Sequence, residues 1–251
     1  MDLAERLGFG APALVAFVGA GGKKTAMGRL VAEGGARDRS VGYTTTVHTP
    51  PPADVPLIIA DEESLEDTLA GAGSPVAFAA ERVPNPERAD EKIRGFDAAV
   101  VDAVFESERF DWLLVKADGA RGREFKAPGP EEPVVPDATT HAVPVASVRA
   151  VGKPLDAPVV HRPERVAALT GLERGDAVTT EVVGTVLAHE QGGLKGIPDG
   201  AGVTPMVNKA DTPEDRERAR KLLRVALARS ERLQRGLVTS FETDHCEVVR
   251  E

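Results

Sequence analysis

An apolar run that stops at four small residues and then turns basic constrains this chain more than any other feature. Ala13-Leu14-Val15-Ala16-Phe17-Val18 reads as a buried strand. Gly19-Ala20-Gly21-Gly22-Lys23-Lys24-Thr25 follows, and then Met27, Leu30 and Val31 fall at helical spacing up to Gly34-Gly35. A glycine turn that leaves a buried strand and opens a helix offers backbone N–H groups at close range, and the lysines add positive charge. Phosphates are held by that combination. The turn is shorter than the usual G-x-x-x-x-G-K-[ST] loop, but its strand–loop–helix setting is the same. Gly19, Ala20, Gly21, Gly22, Lys23, Lys24 and Thr25 are therefore the candidate phosphate-binding residues. The plainer reading is a glycine-rich turn with exposed lysines.

The rest of the chain repeats the alternation of short apolar runs with helix-like stretches. Strands are predicted at 41–46, 57–60, 76–79, 112–115, 141–145, 203–207 and 237–239. Helices are predicted at 62–69, 96–105 and 213–229. The last has Thr212 as a cap, Pro213 in the first turn, and acids at Glu214 and Asp215. This order predicts a three-layer α/β fold, a mostly parallel sheet flanked by helices, of P-loop NTPase-like type. With 251 residues, one domain over 1–251 is expected. Residues 116–136 are rich in Gly, Pro and charge, and a long irregular stretch inside a compact domain usually carries function.

Composition narrows the classes. A net charge of −9 argues against nucleic acid as a partner, which requires a basic surface. No apolar run is long enough to span a bilayer, so no membrane partner is expected. The first ten residues carry Asp2, Glu5 and Arg6, unlike a secretion signal. The one cysteine, Cys246, excludes an internal disulfide and a cysteine-based zinc cluster, and suits a reducing cytoplasm.

Further motifs sit at predicted strand ends. Asn208-Lys209-Ala210-Asp211 follows the strand at 204–207. An N-K-x-D sequence in that place reads guanine, the Asp carboxylate accepting from the base's N1–H and exocyclic amine. It reads equally as a solvated turn before a capped helix. Lys116-Ala117-Asp118-Gly119-Ala120-Arg121-Gly122-Arg123 follows the strand at 112–115. An acid at the tip of a central strand is where a P-loop protein holds Mg²⁺ or its water, which makes Asp118 the candidate. Arg121, Arg123 and Lys126 are candidates to face phosphate or an anionic substrate. Thr44-Thr45-Thr46 offers hydroxyls for metal or water, or simply suits a strand. Thr25, Thr45 and Asp118 are thus the candidate magnesium ligands, and Asp118, Arg121 and Lys126 the candidate catalytic residues. His161-Arg162-Pro163-Glu164 reads as a helix start; the five histidines show no metal-ligand spacing.

Taken together and in order, these motifs resemble one family. Gly19 to Thr25, the three threonines, Ala117-Asp118-Gly119-Ala120-Arg121-Gly122, Lys126-Ala127-Pro128, Glu132-Pro133-Val134-Val135-Pro136, His161-Arg162-Pro163-Glu164, Gln191-Gly192-Gly193-Leu194-Lys195-Gly196 and Asn208-Lys209-Ala210-Asp211 are similar to those of the YqeC family. That family is described as selenium cofactor biosynthesis proteins or selenium-dependent hydroxylase accessory proteins. The resemblance implies a P-loop NTPase-like fold and a role in maturing molybdenum hydroxylases; the motifs themselves point to a nucleoside triphosphate, GTP or ATP, as cofactor, with Mg²⁺ set against the cations Lys24 and Lys116. A molybdenum hydroxylase or its cofactor would be the partner. Two positions depart from the family pattern. Lys24 stands where the loop G-x-G-G-K-T-T has its first threonine, and Lys116 stands where E-A-D-G-A-R-G has its glutamate. Both changes replace a plausible magnesium ligand by a cation. Two rival readings stay open: an ATP-dependent ligase or kinase with a short Mur-type phosphate loop, and a non-hydrolysing binder of an anionic cofactor through Lys24, Lys116, Arg121 and Lys126.

Overall fold

A computed structural model describes residues 2–85 and 91–250. Among the described residues, nine strands form the main path of a ten-stranded sheet: β1 (Ala13–Gly19), β2 (Val41–Thr45), β3 (Leu57–Ile59), β4 (Val76–Ala79), β5 (Trp112–Lys116), β6 (His141–Ser147), β7 (Met206–Asn208), β8 (Gly236–Ser240) and β9 (His245–Val249). Across the sheet they run β9-β8-β7-β6-β1-β5-β2-β4-β3, and the short strand Gly202–Val203 also pairs with β6. All neighbours are parallel except β8 and β9. Parallel strands are buried on both faces, which explains their nearly continuous apolar runs.

Among the described residues, seven helices connect or flank these strands: α1 (Leu3–Leu7), α2 (Lys23–Gly35), α3 (Glu62–Ala70), α4 (Ala98–Glu106), α5 (Pro163–Thr170), α6 (Thr180–Leu187) and α7 (Pro213–Leu227). Strand alternation divides the core between the two faces. Val15 and Phe17 of β1, with Leu114 of β5 and Val145 of β6, pack under α1 and α2. Leu14, Leu113 and Val115 point the other way, against α3 and α4. Ala142, Val207 and Val238 pack against α6 and α7 on that second face. The layers are helix, sheet, helix, so the architecture is a mostly parallel α/β sandwich, as the strand–helix alternation predicts.

The expected strand at 203–207 is split in two. Gly202–Val203 pairs with His141 and Ala142, and β7 begins only at Met206. Pro205, which has no N–H to give a ladder, falls between them; its carbonyl accepts from Leu237 N. Helices α1 and α6 and the antiparallel strand β9 add to the predicted elements. Among the described residues no helix is long and apolar enough to cross a membrane.

This topology gathers chemistry at one edge. The C-terminal ends of β1, β5, β2, β6 and β7 lie side by side, so that Gly19, Lys116, Thr45, Ser147 and Asn208 share a rim. Open parallel sheets bind ligands at that edge.

Candidate functional site

The glycine turn adopts a conformation that side chains would prevent. Gly19, Gly21 and Gly22 have φ of 89°, 89° and 146°. A Cβ on Gly19 would stand 2.2 Å from the Val145 carbonyl oxygen, and one on Gly22 would stand 2.2 Å from Asn208 Nδ2. Ala20 N donates to Val145 O at 2.8 Å, which fastens the turn to β6. Helix α2 then starts with Gly22 as its cap, no side chain accepting from its first turn and no acid within it. Helices α3, α6 and α7, by contrast, are capped by Asp61, Thr179 and Thr212. The first-turn N–H groups of α2 thus remain for an anion, assisted by the helix dipole.

Lys23 is buried and does not reach into solvent. Its ammonium meets Asp118 Oδ1 at 2.6 Å and donates to the Gly19 carbonyl. Asp118 Oδ2 accepts from Gly19 N at 2.8 Å and lies 3.0 Å from Lys126 Nζ. Lys126 also bonds Glu132 Oε2 at 2.8 Å, and Arg162 Nη1 reaches the same oxygen at 2.6 Å. Lys116, at the tip of β5, donates to the Asp118 carbonyl at 2.7 Å. Burial opposes the Asp118 carboxylate, but Lys23 and Lys126 outweigh it and hold its pKa below the ordinary value. Burial, followed by the neighbouring Lys23 charge, lowers the Lys116 ammonium to about 7. The cation that acts most strongly on Lys116 is therefore Lys23. Lys24 is exposed on the first turn of α2.

Of the three expected magnesium ligands, Asp118 and Thr45 are engaged within the protein, and Thr25 lines a cleft above the rim. The Asp118 oxygens are engaged by Lys23, Lys126 and the Gly19 amide. Thr45 is fully buried, its hydroxyl donating to the Lys116 carbonyl at 2.7 Å, so it faces the sheet. Thr25 is exposed on the first turn of α2. Among the described residues, no three His, Cys, Asp or Glu side chains gather as a metal site would need.

The Asn208-Lys209-Ala210-Asp211 turn lies beside the glycine loop. Asn208 Nδ2 donates to the Gly21 carbonyl at 3.1 Å, and its Oδ1 accepts from the Thr239 hydroxyl at 3.2 Å. Asn208 thereby braces the loop against β7 and β8. Lys209, at a φ of 63°, places its ammonium 2.7 Å from both Glu124 oxygens. Asp211 Oδ1 accepts from Ser240 Oγ and Oδ2 from Arg149 Nη2, both at 2.7 Å.

A cleft of about 570 Å³ opens above the rim, and the loop, Lys116, Arg121 and Lys209 line it; Asp211 does not. Among the described residues, five lysines and three arginines line it against one carboxylate, Glu132, in a chain whose net charge is −9. A second element feeds this wall. Phe125–Lys126 and Val160–His161 form a short parallel ribbon in which His161 stands opposite Lys126, and Arg162 follows. Glu132 opens the Glu132-to-Pro136 motif but has no role assigned from the sequence, and Glu124 carries no motif; its only signal is its place within the Gly-, Pro- and charge-rich stretch 116–136.

The fold and this rim define a class: a mostly parallel α/β protein with its glycine turn at the end of a central strand. Residues 15–164 match the family described as YqeC protein, and the chain belongs to that family. The matched stretch includes the glycine turn, the Asp118 cluster and His161 to Glu164, and ends before Asn208. The Escherichia coli (strain K12) protein described as "Uncharacterized protein YqeC" is 28% identical over 225 residues, 89% of this chain and 82% of that protein. Among solved structures, that of the signal recognition particle 54 kDa protein from Aeropyrum pernix K1 in complex with GDP aligns with a TM-score of 0.42 at 16% identity. The alignment covers 95% of this chain and 44% of that one.

Proposed function

We propose that this protein binds a nucleoside triphosphate on the Gly19 to Thr25 turn and serves as an accessory NTPase in maturing the selenium or molybdenum cofactor of molybdenum hydroxylases. The observation that carries the binding step is the uncapped N-terminus of α2 beside a cleft lined by lysines and arginines. The maturation role rests on membership of the family and on the description the resemblance supplies. The reading treats residues 1–251 as one domain working in the cytoplasm.

In this reading the amides of Gly21, Gly22 and Lys23 face the phosphates, with Lys23 and Lys24 supplying charge. Lys116, which lines the cleft, takes the part that a divalent ion plays elsewhere, and Asp118 positions Lys23 and Lys126. Arg121 meets charge developing on the transferred phosphoryl group. Asp211 accepts from guanine, which gives GTP its preference. Calorimetry with GTP and ATP, each with Mg²⁺ and with chelator, tests this. We expect binding in chelator, and loss of about tenfold or more on Lys23→Ala. No binding of either nucleotide in either condition would refute the proposal.

One observation favours a second reading without base selection. Both Asp211 oxygens are already bonded, to Ser240 and Arg149, and Asp211 does not line the cleft. An ATP-using ligase or kinase needs no guanine reader. Competition between GTP and ATP separates the two, since equal affinities, unmoved by Asp211→Asn, favour the second.

A further inference from the structure

Glu132 lines the cleft, half-buried, and it is fixed from two sides. On one side Lys195 Nζ donates to the Gly129 and Pro130 carbonyls at 2.6 and 2.7 Å. The Gln191-to-Gly196 motif thus clamps the turn in which Glu132 N donates to Gly129 O at 3.3 Å. On the other side stands Arg162, which caps α5 in left-handed backbone, at φ 60° and ψ 63°, immediately before Pro163. That conformation is costly for a residue with a side chain and persists where the surrounding structure fixes it. It delivers the Arg162 guanidinium to Glu132, and a Cβ on Gly129 would lie 3.0 Å from the guanidinium carbon, so glycine leaves it room.

The two oxygens of Glu132 are not equivalent. Oε2 accepts from Lys126 at 2.8 Å and from Arg162 at 2.6 Å. Among the described residues no hydrogen bond reaches Oε1, which faces Gly119, where a Cβ would stand 3.8 Å away. Burial opposes the carboxylate, but Arg162 and Lys126 outweigh it and hold its pKa below the ordinary value, so Oε1 is an acceptor at neutral pH. Through Lys126 and Asp118 this carboxylate is joined to Lys23 and to the Gly19 amide. Its charge acts on both Lys23 and Lys116. A carboxylate with one oxygen pinned by cations and the other open beside a phosphate-binding turn is placed to orient a nucleophile.

We infer that Glu132 orients the water that attacks the terminal phosphate of a nucleotide on the glycine turn, Oε1 accepting the water's proton. The inference rests on the nucleotide reading and names the residue for its hydrolytic step. The water oxygen bonds the terminal phosphorus, the bond from that phosphorus to the bridging oxygen breaks, and the nucleoside diphosphate leaves with the electron pair. The proton passes from water to Oε1 and then to solvent. In a loose phosphoryl-transfer transition state, orientation of the water counts more than base strength, so an acidic carboxyl group serves. The test measures phosphate release from GTP and ATP, and binding of hydrolysis-resistant analogues of both, in the full chain and its Glu132→Gln and Glu132→Asp variants. Glu132→Gln is expected to cut kcat about 100-fold, while analogue affinity holds or tightens because the cleft loses its opposing charge. Glu132→Asp keeps a charge for Lys126 and Arg162 but draws the open oxygen back, and is expected to cut kcat about tenfold with binding unchanged. Should Glu132→Gln fail to fold, Glu132→Asp decides. A residue that only braces the cleft would weaken analogue binding when changed to Gln and leave kcat intact when changed to Asp. That pattern, or wild-type kcat in Glu132→Gln, overturns the inference. A wild-type chain that binds the analogues but releases no phosphate also overturns it and leaves the nucleotide reading standing. If the wild-type chain binds neither analogue, both fall.

Discussion

Asp118 is one carboxylate held between two ammonium groups, Lys23 and Lys126, and its burial makes the pairing consequential. Removing one partner of a buried ion pair leaves an uncompensated charge, which costs about 3–5 kcal/mol. Asp118→Asn is therefore expected to lower unfolding free energy by about that amount, read from chemical denaturation at neutral pH. At Asp211, Arg149 occupies the oxygen a guanine base would need. If Asp211 reads guanine, Arg149→Ala tightens GTP relative to ATP, and an unchanged ratio assigns Asp211 a structural role. Residue identities were legible where the chemistry is local: the glycines, Lys23 and the cation at Lys116 are plain in the sequence. The partners of Asp118 were not. A magnesium role for Asp118 follows from its place at a strand tip, whereas its pairing with Lys23 spans most of a hundred positions and depends on how β1 and β5 align. Spacing along the chain carries no information about that register.

Among the elements, α2 and α7 show how differently two helices can begin. Thr212 accepts from Asp215 N and Asp215 answers to Thr212 N, a complete capping box. Thr212→Ala is expected to cost about 1 kcal/mol, measured as a fall in denaturation midpoint. At α2 no side chain caps the first turn, and Gly22→Ala drives a methyl group into Asn208. That substitution should abolish nucleotide binding more completely than it lowers stability, because the strain falls on the loop. The strands of the main sheet were legible because β-branched apolar runs end at Gly, Pro or charge. Helix α6 was not, for Thr180-Glu181-Val182-Val183-Gly184-Thr185-Val186-Leu187 is rich in residues that disfavour helix. It forms because Gly184 lets α7 approach: a Cβ there would lie 2.7 Å from the Leu222 carbonyl. Packing overrides propensity at that contact.

For the whole molecule, charge is distributed against its own total. A net −9 chain that concentrates lysine and arginine in one cleft focuses an attractive field for polyanions while discouraging nucleic acid elsewhere. Stability also carries a pH signature. Burial, then the Arg235 charge, lowers His141 to about 4 from 6.5, and its Nε2 bonds the Thr204 hydroxyl. The unfolded chain takes the proton first, so this group removes stability as pH falls from about 6.5 to about 4. His141→Gln should flatten that part of the wild-type curve, which denaturation at a series of pH values checks. The central claim concerns the glycine turn, and amide NMR reads it most directly. Titrating GTP in chelator should shift the N–H signals of Gly21, Gly22 and Lys23 first and furthest. Unmoved signals there, with changes confined to other parts of the sheet edge, would contradict the account.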